Sequence, residues 1–184
     1  MRTADDSPPM QPMWMVRAER GRLYDDFLRH GVAALGWTAL ARLVATVDSR
    51  RALLEAYATA EPTRRPTAIV PGASQVWRFV HDVAEGDRVV TYSPQLRCYR
   101  VGRITGPARH HPEWADIGMP LARRVDWHPR EVARDALPPG TRNSLGPTLT
   151  LFRVSPGAAR QLLVRLDSAN GAYIGARLAA NRKC

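Results

Sequence analysis

Apolar positions along the chain fall into short runs separated by polar, Gly- or Pro-containing stretches. MWMVRA (13–18) opens with an unbroken apolar run that Arg17 ends, the signature of a short buried strand. LYDDFLRHG (23–31) predicts a short helix stopped by Gly31, and VAALGW (32–37) a second strand. Asp48 is the expected N-cap of a helix over SRRALLEAYA (49–58), after which EPTRRPTAIVPG (61–72) reads as a loop. Between Ala73 and Glu85 the apolar residues Val76, Phe79, Val80 and Val83 keep helical spacing on one face, and Gly86 ends the pattern.

Two strands follow over 87–92 and 97–104, joined by SPQL (93–96) as a hairpin connection. ARHHPEWADIGMP (108–120) reads as a loop, LARRVDWH (121–128) as a strand, and REVARDALPPGTRNSLG (130–146) as irregular chain. PTLTLFRV (147–154) is the expected last strand. Ser155 and Pro156 start a helix over GAARQLLVRL (157–166), and DSANG (167–171) is expected to break it before a basic tail helix. Strands that follow one another as neighbours, without regular strand–helix alternation, place the chain in the α+β class, as a small mixed β pseudo-barrel flanked by helices. One domain over 13–167 is expected, with a disordered leader at 1–12 and a basic tail or linker at 168–184.

The leader MRTADDSPPMQP lacks the apolar centre of a signal peptide, and no window offers the run of about eighteen apolar residues that a membrane span needs. A cytoplasmic protein without membrane partners is the expectation. Cys98 and Cys184 are the only cysteines, too few for a disulfide framework or a cysteine metal site. Net charge changes the picture more: +10 with a sequence pI near 10.9 attracts phosphate-bearing polymers. Lys183 is the sole lysine, so nearly every cation is a guanidinium able to fork onto phosphate or stack on a base. Residues 153–184 carry six basic side chains against one acidic, half of the excess charge.

Catalytic signatures are missing. There is no Walker-type phosphate loop, no G-x-S-x-G elbow and no G-x-G-x-x-G turn. HHPE (110–113) superficially offers metal ligands, but Pro112 blocks the helix such spacing needs, and a solvated loop is the expected reading. Restriction-type nucleases need a carboxylate pair with a nearby lysine, which Lys183 in the tail does not supply. No catalytic residue, metal or cofactor is therefore expected. Aromatic residues are the remaining functional chemistry. Trp77 and Trp14 read as core or near-core residues, whereas Trp37, Tyr92 and Trp127 close strands and Trp114 lies in a loop. Rings at a barrel rim can stack a nucleobase or simply plug the barrel end.

Taken in order, MWMVRAERGRLYDDFLRHGVAALGW, SQVWRFVHDVAEGDRVVTYSP, YRVGRITG, RRVDW and RNSLGPTLTLFRVSP resemble the EVE-like branch of the PUA-like superfamily, relatives of YTH and ASCH domains. The resemblance spans about residues 13–166 and is strongest to the amino-terminal domain fused in many bacterial proteins to Mrr-type restriction nucleases. It implies a reader of modified DNA that flips the base, a modified cytosine foremost, into an aromatic pocket and acts as the specificity module of a restriction or defence system. It further implies a pocket built from Trp37, Tyr92, Ser93, Gln75, Asn143, Ser144 and Trp14. Arg17, Arg88, Arg97, Arg100, Arg103 and Arg109 are expected to hold the nucleic-acid backbone. Arg17 has a salt bridge to Asp25 or Asp26 as its alternative role. RAERG replaces the commoner RAGRG, placing Glu19 where the family has a small residue. Partners implied are modified double-stranded DNA and a nuclease domain or subunit. The alternatives are an RNA-binding PUA-like domain and, from another class, a small ASCH-like hydrolase using His110, His111 or His128.

Overall fold

The computed structural model describes residues 11–180, with side chains described to Ser168. Residues 1–10 of the expected leader and most side chains of the expected basic tail lie outside the described residues. The strands are β1 (Met13–Val16), β2 (Val32–Leu35), β3 (Arg88–Ser93), β4 (Cys98–Ile104), β5 (Arg109–His110), β6 (Leu121–Ala133) and β7 (Leu151–Arg153). The helices are α1 (Tyr24–His30), α2 (Thr38–Leu43), α3 (Arg50–Ala60), α4 (Pro66–His81), α5 (Pro139–Ser144) and α6 (Pro156–Ala180).

The strands form one mixed sheet in the order β2-β6-β4-β3-β1-β7, with β5 paired to the start of β6. β1 runs parallel to β3, and the other pairings are antiparallel. The sheet curls into a half-barrel, so that β1 comes back close to β2. This is the α+β class, with helices flanking a mixed curled sheet.

Alternation along the strands divides the interior into two cores. Trp14, Val16 and Val89 face one core together with α1–α4, and Met13, Met15, Val90, Tyr99 and Val101 face the other beneath α6. Both faces of β1 and β2 are buried, which is why they read as unbroken apolar runs. Trp14 donates its indole N–H to Asp87 at 2.9 Å, and Asp87 also accepts the Ala84 backbone N–H at 3.0 Å, fixing the turn into β3. Gly102 sits where the β4–β6 register shifts. A Cβ there would stand 2.5 Å from a Val125 methyl and 2.8 Å from the Asp126 carbonyl, so only bare backbone lets β6 pass this closely.

The structure adds α2, which was not expected, places α5 in the stretch read as irregular and β5 in the stretch read as a loop, and shortens the last strand from 147–154 to Leu151–Arg153. Four further differences have a plain physical reason. Ser49, not Asp48, caps α3, its hydroxyl accepting the Ala52 N–H at 3.1 Å. The 61–72 loop is partly helix: α4 begins at Pro66, because proline at the first helical position is preset for helix and lacks only an N–H that would be unpaired anyway. β6 runs on to Ala133 through Pro129. A proline is tolerated there because the ladder skips from Gly102–Trp127 to Arg100–Glu131, leaving the residues between unpaired. DSANG does not break the last helix. Weak helix formers cost up to about 1 kcal/mol each but do not block the backbone as proline does, and α6 continues through them.

Candidate functional site

Trp37 leaves the end of β2 half-buried, and the nitrogen-bearing part of its indole lies close to α4. A Cβ at Gly72 would stand 3.5 Å from the indole nitrogen, so this glycine lets the helix back the ring closely. Beside Trp37 opens a cavity of about 220 Å³ whose walls include Arg17, Glu19, Ala34, Gly118 and Thr150. That volume lies below the size of a drug pocket and suits a single planar heterocycle.

Four separate segments hold the walls. Arg17 follows β1 directly and donates to the carbonyls of Pro147 (Nε, 2.9 Å) and Leu145 (Nη2, 3.1 Å), while its backbone N–H reaches Thr150 O at 2.8 Å. Its alternative role as a salt bridge to Asp25 or Asp26 is not adopted: Asp26 pairs with Arg29 instead. Glu19 and Arg20 take left-handed backbone conformations (φ 45° and 57°), and Glu19 forms an ion pair with Arg22. Arg22 also touches the loop opposite, reaching Ile117 O at 3.4 Å. Gly118 (φ 85°) closes that side, and Gly36 comes near enough that a Cβ would stand 3.2 Å from its carbonyl.

The strain at Glu19 makes a prediction. A non-glycine residue in this region costs on the order of 1–3 kcal/mol, against roughly 0.5–1 kcal/mol for the extra unfolded-state freedom of glycine. Glu19→Gly is expected to raise the melting temperature by a few degrees, since the exposed ion pair it removes is worth little. Deleting a carboxylate from the cavity wall is also expected to tighten oligonucleotide binding about threefold at low salt. Thermal melts and fluorescence titrations read both, and a lowered melting temperature would count against relief of strain.

Of the expected pocket residues only Trp37 lines this cavity, and it is joined there by Arg17, expected as a backbone contact. The structure separates the others. Tyr92 and Trp37 do not frame one cavity: Tyr92 belongs to the opposite core, its ring centroid 4.7 Å from that of Tyr99. Ser93 is buried and accepts the Leu96 N–H at 3.1 Å, shaping the hairpin turn. Gln75 is buried and spent on structure: its amide donates to Pro71 O at 3.1 Å and accepts the Leu151 N–H at 2.8 Å, tying α4 to β7. Ser144 bonds Ser155 at 2.9 Å, Asn143 is exposed at the end of α5, and Trp14 is a core residue.

The six arginines form no single stripe. Arg97 forks onto Asp135 (3.2 and 2.7 Å), and Arg88 and Arg103 stand opposite each other across β3 and β4. Arg100 is drawn into a part-buried network, donating to Glu131 at 2.7 Å and to His128 O and Pro129 O. Tyr24 joins it with a 3.1 Å bond to Glu131 and a 3.6 Å contact to the Cys98 sulfur. Burial pushes both the Tyr24 hydroxyl and the Cys98 thiol above their ordinary ranges. These groups stay protonated near neutrality, as a structural cluster requires.

Arg109 lines a larger groove of about 830 Å³. Here the expected solvated loop carries a short 3₁₀ turn, Pro112–Trp114, in which His111 stacks on Trp114 with centroids 4.3 Å apart and His30 approaches the same ring at 5.2 Å. His111 also pairs with Glu113 at 2.9 Å. The groove balances Arg109, Arg123 and Arg124 against Glu85, Glu113 and Asp126, so it offers no net field for a polyanion. His128 is occupied elsewhere, accepting the Arg130 N–H at 3.1 Å. Among the described residues no cluster of three His, Cys, Asp or Glu side chains is placed to hold a metal, and no helix is long and apolar enough to cross a membrane.

Sequence reasoning missed Glu19, Gly118 and Thr150 as cavity walls. The glycine in DIGMP was the available signal, since it can turn through positive φ at no steric cost; a glutamate gives no such sign, so the φ of 45° at Glu19 was not readable.

No curated protein sequence matches the chain. Among solved structures, the YTH domain of the Zygosaccharomyces rouxii MRB1 protein, in complex with N6-methyladenosine RNA, is similar at a TM-score of 0.43 and 13% identity, over 85% of this chain and 86% of that one. A family model described as a domain of unknown function, DUF8426, matches residues 13–150, and the chain belongs to that family.

Proposed function

We propose that this protein reads a modified nucleobase, accepting it in the cavity beside Trp37, and performs no chemistry of its own. The observation that carries the reading is a single-heterocycle cavity walled by a half-buried indole and by an arginine without a carboxylate bond, in a chain of net charge +10. The ring supplies a face for stacking, and the excess of guanidinium groups over the rest of the molecule supplies attraction to the strand. The ordered motifs that resemble EVE-like domains of restriction systems support modified DNA as the polymer, with a cytosine derivative as the base and a nuclease domain or subunit as the partner that cuts.

A fluorescence titration tests this at fixed salt. It compares duplexes carrying cytosine, 5-methylcytosine, 5-hydroxymethylcytosine, its glucosylated form or N6-methyladenine, with matching RNA strands as competitors. At least one modified DNA is expected to bind about tenfold or more tighter than its unmodified parent, the range that fitting one base into a shaped cavity supplies. Equal affinity across the panel would overturn the reading, and preference for RNA would move it to the other polymer.

A further inference from the structure

Large apolar side chains that stay exposed are informative when they gather at a site. Among the described residues five stay exposed: Val70, Leu96, Ile117, Leu149 and Val164. Two of these adjoin the cavity walls. Ile117, 38% exposed, precedes the wall residue Gly118, and Leu149, 44% exposed, precedes the wall residue Thr150.

The segment bearing Leu149, residues 145–150, is held along its length. Arg17 bonds the carbonyls of Leu145, Pro147 and Thr150, using its guanidinium for the first two and its backbone N–H for the third. Leu145 is buried, the Gly146 N–H reaches Asn143 O at 3.0 Å, and just beyond the segment Leu151 N–H is fixed to Gln75. An ordinary connecting loop is loosely held and polar at its tip. This one is braced by Arg17 and carries an exposed aliphatic residue next in sequence to a cavity wall.

We propose that Leu149 is the wedge of this reader: it enters the base stack of a duplex and fills the gap left by the nucleotide that moves into the Trp37 cavity. The inference rests on the base-reading function proposed above and deepens it, because a wedge has work to do only when the target is paired. Apolar side chains inserted between base steps offset part of the cost of unstacking, and a braced loop inserts one without an added ordering cost.

The test uses the tightest-binding sequence of the panel above, offered to the full chain both as a duplex and as the isolated modified strand, with 2-aminopurine next to the target base. Leu149→Ala is expected to lose about tenfold in affinity for the duplex and less than twofold for the single strand. The rise in 2-aminopurine fluorescence that wild type causes in the duplex is expected to fall with it. Leu149→Met, which keeps an aliphatic wedge, is expected to recover most of both. Equal losses on the two forms, no loss on the duplex, or a wild-type protein that binds only single strands would each overturn the wedge while leaving the Trp37 reading intact. Failure of wild type to prefer any modified oligonucleotide would remove both, and that outcome is visible before any Leu149 variant is made.

Discussion

Trp37→Ala is expected to erase the preference for modified over unmodified DNA while leaving much of the salt-dependent background binding. Stacking one base on an aromatic ring contributes about 1–3 kcal/mol, which corresponds to roughly fivefold to somewhat over a hundredfold in affinity. Attraction to phosphate is supplied by arginines spread over the molecule and does not pass through this ring. The two contributions separate cleanly in the ratio of modified to unmodified affinity at one salt concentration. Because the indole also rests on Gly72 of α4, the alanine variant loses some stability, so the ratio must be read on protein shown to be folded. Trp37→Phe keeps a ring and is expected to retain a good part of the ratio. An alanine variant with an unchanged ratio would show that the base, if one is bound, lies elsewhere.

How much of this was legible in the sequence depends on which physical rule decides each feature. β1 and β2 were readable because both their faces are buried and no polar residue interrupts them. The start of α4 and the length of β6 were not, since Pro66, Pro71 and Pro129 look like breakers when their partners are unknown. Proline costs little at the first helical position, as at Pro66, or at an unpaired stretch of strand, as at Pro129; Pro71 lies inside α4, where it removes one backbone hydrogen bond, and the helix runs on through it.

The site followed the same logic. Trp37 and Arg17 were readable because each ends a strand, and strand ends meet at the mouth of a curled sheet. Tyr92 also ends a strand yet belongs to the other core. Side chains alternate, and which parity of β3 faces Trp37 is settled by its pairing with β1, where Val89 lies opposite Trp14. Gln75 and Ser93 illustrate a different limit. A polar residue near a site can equally be spent on buried backbone groups, and both are. The cavity walls at 17–23, 34–37, 118 and 150 come from four separate segments, so no local pattern could assemble them.

Arg123 carries the largest stability effect we expect. Within LARRVDWH it looks like one more surface cation, but it is 4% exposed and its three donor nitrogens each reach a backbone carbonyl. Nε donates to Phe79 O at 2.8 Å, Nη2 to Val80 O at 2.9 Å and Nη1 to Gly106 O at 3.0 Å. Phe79 and Val80 lie in the last turn of α4, where carbonyls have no partner within the helix. The N–H groups just beyond are already committed, Val83 to Arg78 O and Ala84 to Asp87. A guanidinium therefore closes this helix end, where positive charge also suits the helix dipole. Burial lowers the affinity of Arg123 for its proton, with Asp87 and Glu85 opposing that effect, and an arginine stays charged under such a shift.

Arg123→Met keeps the bulk and strands three carbonyls. At about 1–3 kcal/mol for each unsatisfied buried group, not fully additive, the loss is expected to be about 3 kcal/mol or more. That is a large part of the 5–15 kcal/mol typical of a domain, so the urea midpoint should fall steeply. Arg123→Lys is expected to recover only a minor share, because one compact ammonium cannot span three carbonyls set for a planar fork. A methionine variant with a wild-type midpoint would show that water serves these carbonyls equally well. The consequence reaches the cavity beside Trp37, since α4 is pinned at its carboxyl end by Arg123 and backs Trp37 with Gly72. A helix released at one end holds the indole less firmly at the other, so this variant is expected to lose modified-base preference together with stability, although Arg123 itself does not line that cavity.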